Sequence, residues 1–144
     1  MLIREATPTD REVLIALDHV AALEPSRVTF LDRALRSETC LVAENMGRLV
    51  GYGVLEYTFY DCGFISLVYV AELERRRGFG RALLEALAAC CKTEKLFTST
   101  NQSNTPMQQL LENLCYIPSG VIHNLDPGDP ELVYYLENRV SPPV

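Results

Sequence analysis

The chain has 144 residues, 48% apolar and 22% charged; these are the proportions of an ordinary globular protein, so a single domain over residues 1–144 is expected to bury one core without metals or disulfides. A formal net charge of -6 sets the overall field against a nucleic-acid backbone or an anionic membrane surface as partner.

In chain order, MLIREATP reads as a first strand ended by Pro8. Val13, Leu14, Leu17, Val20 and Ala21 then recur at helical spacing through TDREVLIALDHVAALE, behind Thr9 or Asp10 as N-cap. After Pro25, the residues Phe30, Leu31, Ala34 and Leu35 space a second, short amphipathic helix. TCLVAENMGRLVGYGVLEYTFYDCGFISLVYVAE has no helical period and is rich in β-formers. Its punctuation at Asn45-Met46-Gly47 and Asp61-Cys62-Gly63 predicts a three-strand antiparallel meander, the third strand covering Phe64 to Val70. GRALLEALAACCK sets Leu84, Leu87, Ala88 and Cys91 along one face of a third helix. KLFTST follows as a strand, and NTPMQQLLENLC as a fourth helix with Asn104 as cap and Pro106 in its first turn. YIPSGVIHNL and ELVYYLEN close the chain as a strand pair around DPGDP, and SPPV is expected to fray. The order β-α-α-β-β-β-α-β-α-β-β is that of an α+β fold, antiparallel except where a helix links FISLVYV to KLFTST.

The five cysteines, Cys40, Cys62, Cys90, Cys91 and Cys115, form no C-x-x-C pair and have no histidine beside them, so no metal site is expected and a reducing, cytoplasmic setting is. Of Cys90 and Cys91, one is expected to face the core and the other to lie nearer its edge. The N-terminus carries charges where a signal peptide needs an apolar run, and no stretch approaches the ~20 apolar residues of a membrane span.

Four of the 13 basic residues, Arg75, Arg76, Arg77 and Arg81, fall within seven positions of this acidic chain. They sit where a strand passes into a helix, and there the first helical N–H groups lack partners while the helix dipole adds positive potential. Gly78 and Gly80 let backbone amides approach a bulky anion, so the expected ligand is a phosphate or pyrophosphate. A dinucleotide fingerprint fails, because Leu83 stands at its third small-residue position and TSTNQS where its acid belongs; the P-loop pattern occurs nowhere.

In this setting LVYVAELERRRGFGRALLEAL resembles the acyl-CoA-binding motif of the GCN5-related N-acetyltransferases (GNAT), Gln/Arg-x-x-Gly-x-Gly/Ala, which Arg75, Gly78 and Gly80 fill. The order of elements is similar over nearly the whole chain. The resemblance implies a central mixed sheet of about seven strands flanked by about four helices, with acetyl-CoA or coenzyme A as cofactor. It also implies a pyrophosphate held by the loop Arg76, Arg77, Gly78, Phe79, Gly80 and Arg81, and a pantetheine arm along Val68, Tyr69 and Val70. Asn101 and Asn104 are both placed for the family's pantetheine-touching asparagine, Asn104 fitting the pattern better. Two departures stand out: Leu111 occupies the position where the family often carries a thiolate-protonating tyrosine, and Cys115 replaces a usual glycine. Either the thiolate then leaves without a protein acid, or Tyr116, Cys115 or a water provides that proton.

The implied activity is direct transfer of an acetyl group to a primary amine in a ternary complex, the main-chain N–H of Val70 or a neighbour polarising the thioester. The alternative is a non-catalytic acyl-CoA sensor or partner subunit. The acidic balance leans toward small cationic amines such as polyamines or aminoglycosides, with a peptide N-terminus or lysine also open, and the closing strands offer an edge for a homodimer.

An amine attacks only as the neutral nitrogen, so a base or water chain is required. Glu56 in YGVLEYTF is the first candidate, weighed against a solvated strand glutamate. Ser66 reads as structural, His123 as an exposed or capping histidine that titrates in the right range, and His19 as a mid-helix surface residue. Tyr52, Tyr57 and Tyr60 read as sheet packing or as pocket lining. Asp126, Asp129 and Glu131 read as a turn or as a cation-receiving cluster.

Overall fold

A computed structural model describes residues 1–138; the SPPV tail lies outside them. The described elements are β1 (Leu2–Glu5), α1 (Arg11–Leu17), α2 (His19–Leu23), α3 (Pro25–Ser37), β2 (Thr39–Asn45), β3 (Arg48–Phe59), β4 (Cys62–Val70), α4 (Phe79–Cys90), β5 (Lys95–Asn101), α5 (Thr105–Asn113), β6 (Ile117–Ile122) and β7 (Glu131–Glu137). The seven strands are ordered β1-β2-β3-β4-β5-β7-β6. β4 and β5 pair in parallel, whereas β1–β2, β2–β3, β5–β7 and β6–β7 pair antiparallel. The strand count and the mixed sheet are as the sequence implies.

The helix count is not. The single helix expected over Thr9–Glu24 is a short 3-10 turn at Pro8–Asp10 followed by α1 and α2, because Asp18 leaves the helical region (φ -91°, ψ 103°). Its fully buried carboxylate accepts the Val20 N–H at 2.9 Å, capping α2, and also Arg27 Nη1 at 2.7 Å and the Tyr52 hydroxyl at 2.6 Å. Leu14 and Ala21 on the two sides of the break both remain buried, so the apolar spacing runs straight across it. Asp10 does not cap α1 with its side chain; its carboxylate accepts the Thr7 N–H and both terminal nitrogens of Arg4.

Both hairpin turns of the meander use two residues with positive φ, the geometry whose twist matches paired strands. The first is Met46–Gly47 (53° and 78°), as expected; the second is Tyr60–Asp61 (53° and 60°), so β4 begins at Cys62, earlier than the sequence suggests.

The described residues fall into two compact units. The first comprises Met1–Glu56 and Leu67–Cys90. Alternation along β3 sends Tyr52 and Val54 into a core with Leu14, Leu31 and Ala34 of α1 and α3, and sends Gly53 to the opposite face, where α4 packs. A Cβ on Gly53 would lie 2.7 Å from Leu87 Cδ1, and one on Gly51 would lie 2.7 Å from the Tyr69 carbonyl oxygen. Two helical layers thus sandwich this part of the sheet.

The second unit comprises Tyr57–Ser66 and the chain from Cys91 onward. Here β4 and β5 are joined only at Gly63–Ile65 and Leu96–Thr98, while β5 and β7 pair from Lys95 to Asn101. Phe59 packs on Phe64 and Phe97, and Phe97 on Tyr135. α5 is capped at its start by the Asn104 side chain, with Pro106 in its first turn. It ends in a Schellman motif: the Tyr116 N–H reaches Leu111 O at 2.9 Å and the Cys115 N–H reaches Glu112 O at 3.0 Å. β6 is exposed at every residue. No described helix is long and apolar enough to cross a membrane.

Candidate active site

The loop after β4 carries the densest set of unmet hydrogen-bond donors. Arg76 (φ 64°) and Gly78 (φ 89°) take left-handed backbone, and α4 starts at Phe79 with its first recorded helical bond, from the Ala82 N–H to Gly78 O. Among the described residues no acceptor meets the N–H groups of Arg76, Arg77, Gly78, Phe79, Gly80 and Arg81. Six consecutive donors at a helix N-terminus, two of them on residues with left-handed backbone, have the composition of an anion cradle. A side chain on Gly78 would meet open space, but its φ disfavours any L-residue.

The arginine side chains contribute less than their number suggests. Arg77 pairs with Glu74 at 2.7 Å and Arg81 with Glu85 at 2.8 Å, so nearby acids offset two of the four charges. Arg75 turns back toward the strand: its Nε donates to Val70 O at 2.9 Å and its guanidinium lies 5.4 Å from the Tyr69 ring centroid. Only Arg76 has a side chain with no partner among the described residues.

The end of β4 is similarly poised. The Ala71 N–H donates to Val50 O on β3, so strand alternation turns the Val70 N–H away from β3. Tyr69 points the other way, into the core with Tyr52. Its hydroxyl receives the His19 backbone N–H at 3.2 Å and lies 2.5 Å from His19 Nδ1. His19 is therefore the exposed first residue of α2 rather than a mid-helix surface residue.

Glu56 is buried, so it is not the solvated glutamate weighed against a catalytic one. It shares the face of Tyr52 and Val54, and its carboxylate lies 3.9 Å from Arg33 of α3.

The acetyltransferase (GNAT) family model matches residues 9–115. The chain belongs to the GNAT acetyltransferase family. An acetyltransferase of the GNAT family from Bacillus cereus is similar in structure with a TM-score of 0.89 and 29% identity, over 96% of this chain and 98% of that one. The ribosomal-protein-alanine N-acetyltransferase of Brucella melitensis aligns at 0.79 and 23%, over 95% and 99%. An acetyltransferase from Salmonella typhimurium, solved with its cofactor acetyl-CoA, aligns at 0.76 and 18%, over 96% and 94%. No curated protein sequence matches significantly.

GNAT acetyltransferases use acetyl-CoA, and the cradle at Arg76–Arg81 fits the pyrophosphate of such a cofactor: it has donors without acceptors, no Cβ at Gly78 and no acidic side chain within it.

The remaining expected site residues belong to the second unit and are largely engaged there. Asn101 Nδ2 donates to Asp126 at 2.9 Å and to Asp129 O at 3.3 Å. Asn104 Oδ1 accepts the Met107 N–H. Asp129 accepts from Ser103 N–H and hydroxyl, and Glu131 from Ser99, so the acidic cluster is tied to β5 and the loop that follows it. Leu111, which the resemblance sets against the family's tyrosine, is fully buried. Tyr116 is 3% exposed, its hydroxyl has no hydrogen-bond partner among the described residues, and burial pushes its pKa up to about 12, making it a weaker acid. Ser66 likewise has a buried hydroxyl without a partner among the described residues. Sequence reading missed the Asp18 cap and the His19–Tyr69 contact. An aspartate followed by a helical stretch was the only local signal for them.

Proposed function

We propose that this GNAT protein transfers the acetyl group of acetyl-CoA directly to a primary amine in a ternary complex. The observation that carries this reading is the run of six unmet N–H donors from Arg76 to Arg81. In it, those amides hold the pyrophosphate, Val68, Tyr69 and Val70 border the pantetheine arm, and Asn101 and Asn104 remain the candidate pantetheine-touching asparagines. The outward Val70 N–H polarises the thioester carbonyl, while Arg75 holds Val70 O, in the next peptide unit, and so steadies the end of β4. The acyl carbon of acetyl-CoA exchanges its C–S bond for a C–N bond to the amine; the acceptor ammonium gives one proton to a base before attack, a second passes to the departing sulfur, and one N–H stays on the amide. No cysteine is acylated. Of the two catalytic candidates, Glu56 enters this reading as the ion-pair partner of Arg33, and Tyr116 as a packed ring. The acceptor is a small cationic amine or a peptide amine, the setting is cytoplasmic, and the fully exposed β6 edge is where two copies would pair as a homodimer.

Thermal unfolding with acetyl-CoA, CoA, NAD and ATP added separately tests the cofactor step, since a ligand bound to the native state alone raises the midpoint, by ~2.7 kcal/mol of stability at 100-fold excess over Kd. A rise with CoA and acetyl-CoA, lost in Gly78→Asp, is expected; no rise with either sinks the reading. Turnover is then measured by CoA release with spermidine, kanamycin, lysine and an alanine-initiated peptide.

The buried Leu111 and the buried Tyr116 hydroxyl favour one second reading, an acyl-CoA sensor without turnover. CoA binding with no release of CoA on any amine of that panel would select it.

A further inference from the structure

The transfer proposed above leaves open where the acceptor's ammonium proton goes. His19 stands at the break between α1 and α2, and its position is held from three sides. Asp18, fully buried, caps α2 and is itself held by Arg27 of α3 and Tyr52 of β3. The His19 main-chain N–H and Nδ1 converge on a single oxygen, the Tyr69 hydroxyl. Arg75, the first residue of the cofactor loop, lies over the Tyr69 ring and holds the carbonyl of Val70. Tyr69 is thus the direct chain neighbour of the amide assigned to the thioester. His19 itself is exposed, and among the described residues its Nε2 makes no hydrogen bond.

We infer that His19 is the base for the acceptor amine, with Tyr69 as the residue that positions it. When Nδ1 carries the proton and donates it to the Tyr69 oxygen, the Nε2 lone pair faces outward and the imidazole is readied as a base. When the Tyr69 hydroxyl donates to Nδ1 instead, Nε2 is protonated, so base action at Nε2 requires the first of the two tautomers. The step is a proton transfer: an N–H bond of the ammonium breaks, an Nε2–H bond forms, the amine nitrogen regains its lone pair and the imidazolium later releases the proton to water. The charged and titratable groups around the imidazole are Tyr69 from β4, Asp18 with its partners Arg27 and Tyr52, and Arg75 across the Tyr69 ring. The paired Asp18 and the two guanidiniums leave no free carboxylate among these groups to compete for the proton.

This inference rests on the amine-transfer reading, and the experiment separates the two. The first readout needs no ligand. In protein carrying 15N-labelled histidine, the neutral His19 ring is expected as the Nδ1–H tautomer, and Tyr69→Phe is expected to abolish that preference. The second is the pH profile of kcat/KM with the fastest amine of the panel. His19→Ala and His19→Gln are expected to lower it about 100-fold at neutral pH and to remove the acidic limb, with added imidazole restoring activity to His19→Ala. Both variants should keep the midpoint rise with CoA, which shows that they fold and bind. An Nε2–H tautomer in the wild type, or turnover by His19→Gln with an unchanged acidic limb, overturns this inference alone. A CoA-induced rise with no turnover of any amine by the wild type overturns the transfer reading and this inference together.

Discussion

Cys115 sits at the position after a helix C-terminus where the chain must turn left-handed, and its φ of 69° is strained for any residue with a Cβ. The Schellman bonds on either side of it and the buried Leu111 and Tyr116 fix that conformation regardless. Cys115→Gly removes the strain and loosens the unfolded chain only slightly, so a gain of about 0.5–1 kcal/mol in urea unfolding is expected; an unchanged or lower stability would show that the thiol packs usefully. The glycines of β3 give the reverse case. An alanine at position 51 would press on a backbone carbonyl that β4 cannot move, whereas at position 53 it meets the end of the Leu87 side chain, which can rotate. Gly51→Ala is therefore expected to cost about 2–3 kcal/mol and Gly53→Ala about 1 kcal/mol. Equal costs would mean that β3 and β4 separate more easily than their packing implies.

The helical elements show what a sequence can reveal of itself and what it withholds. The strand, loop and helix around Gly78 and Gly80 were legible because their determinants are local: apolar alternation, glycines that permit left-handed turns, and a helix start whose amides lack partners wherever it lies. The break at Asp18 was not, since Tyr52, which helps to hold its carboxylate, lies 34 positions away, and the apolar period does not change across it. The His19–Tyr69 contact spans 50 positions and was hidden for the same reason. Nor did the arginine run show in sequence that Glu74 and Glu85 pair with two of its charges. If Asp18 is what divides α1 from α2, Asp18→Ala should cost about 2–4 kcal/mol by removing the α2 cap, stranding the buried Tyr52 hydroxyl and unpairing the half-buried Arg27. Asp18→Asn keeps a capping oxygen and should cost distinctly less. A loss below about 1 kcal/mol for the alanine would mean that water or another group takes over the pair.

For the molecule as a whole, Asp10 supplies a definite pH dependence of stability. Its carboxylate, buried between β1 and the 3-10 turn, is bonded by the Arg4 guanidinium and the Thr7 N–H, and Arg4 also holds Glu44. The Arg4 bond dominates and, against the opposing effect of burial, lowers the carboxyl from 3.8 to about 2. Asp32, lowered by Arg11, acts in the same direction from a half-buried site. A native-state value below the unfolded one means that the unfolded chain binds more protons in the interval, so acid favours unfolding. Asp10 therefore contributes roughly 2 kcal/mol above about pH 4–5, and that contribution fades as pH falls toward 2. Urea unfolding of the wild type and of Asp10→Asn at a series of pH values checks this. The variant is expected to be less stable at pH 7 by about that amount, and the gap is expected to narrow below pH 4 as the wild-type carboxyl takes up its proton. Two curves that run parallel from pH 7 to pH 3 would show that the Arg4–Asp10 pair adds no net stability and that the first strand is held by its ladder to β2 alone.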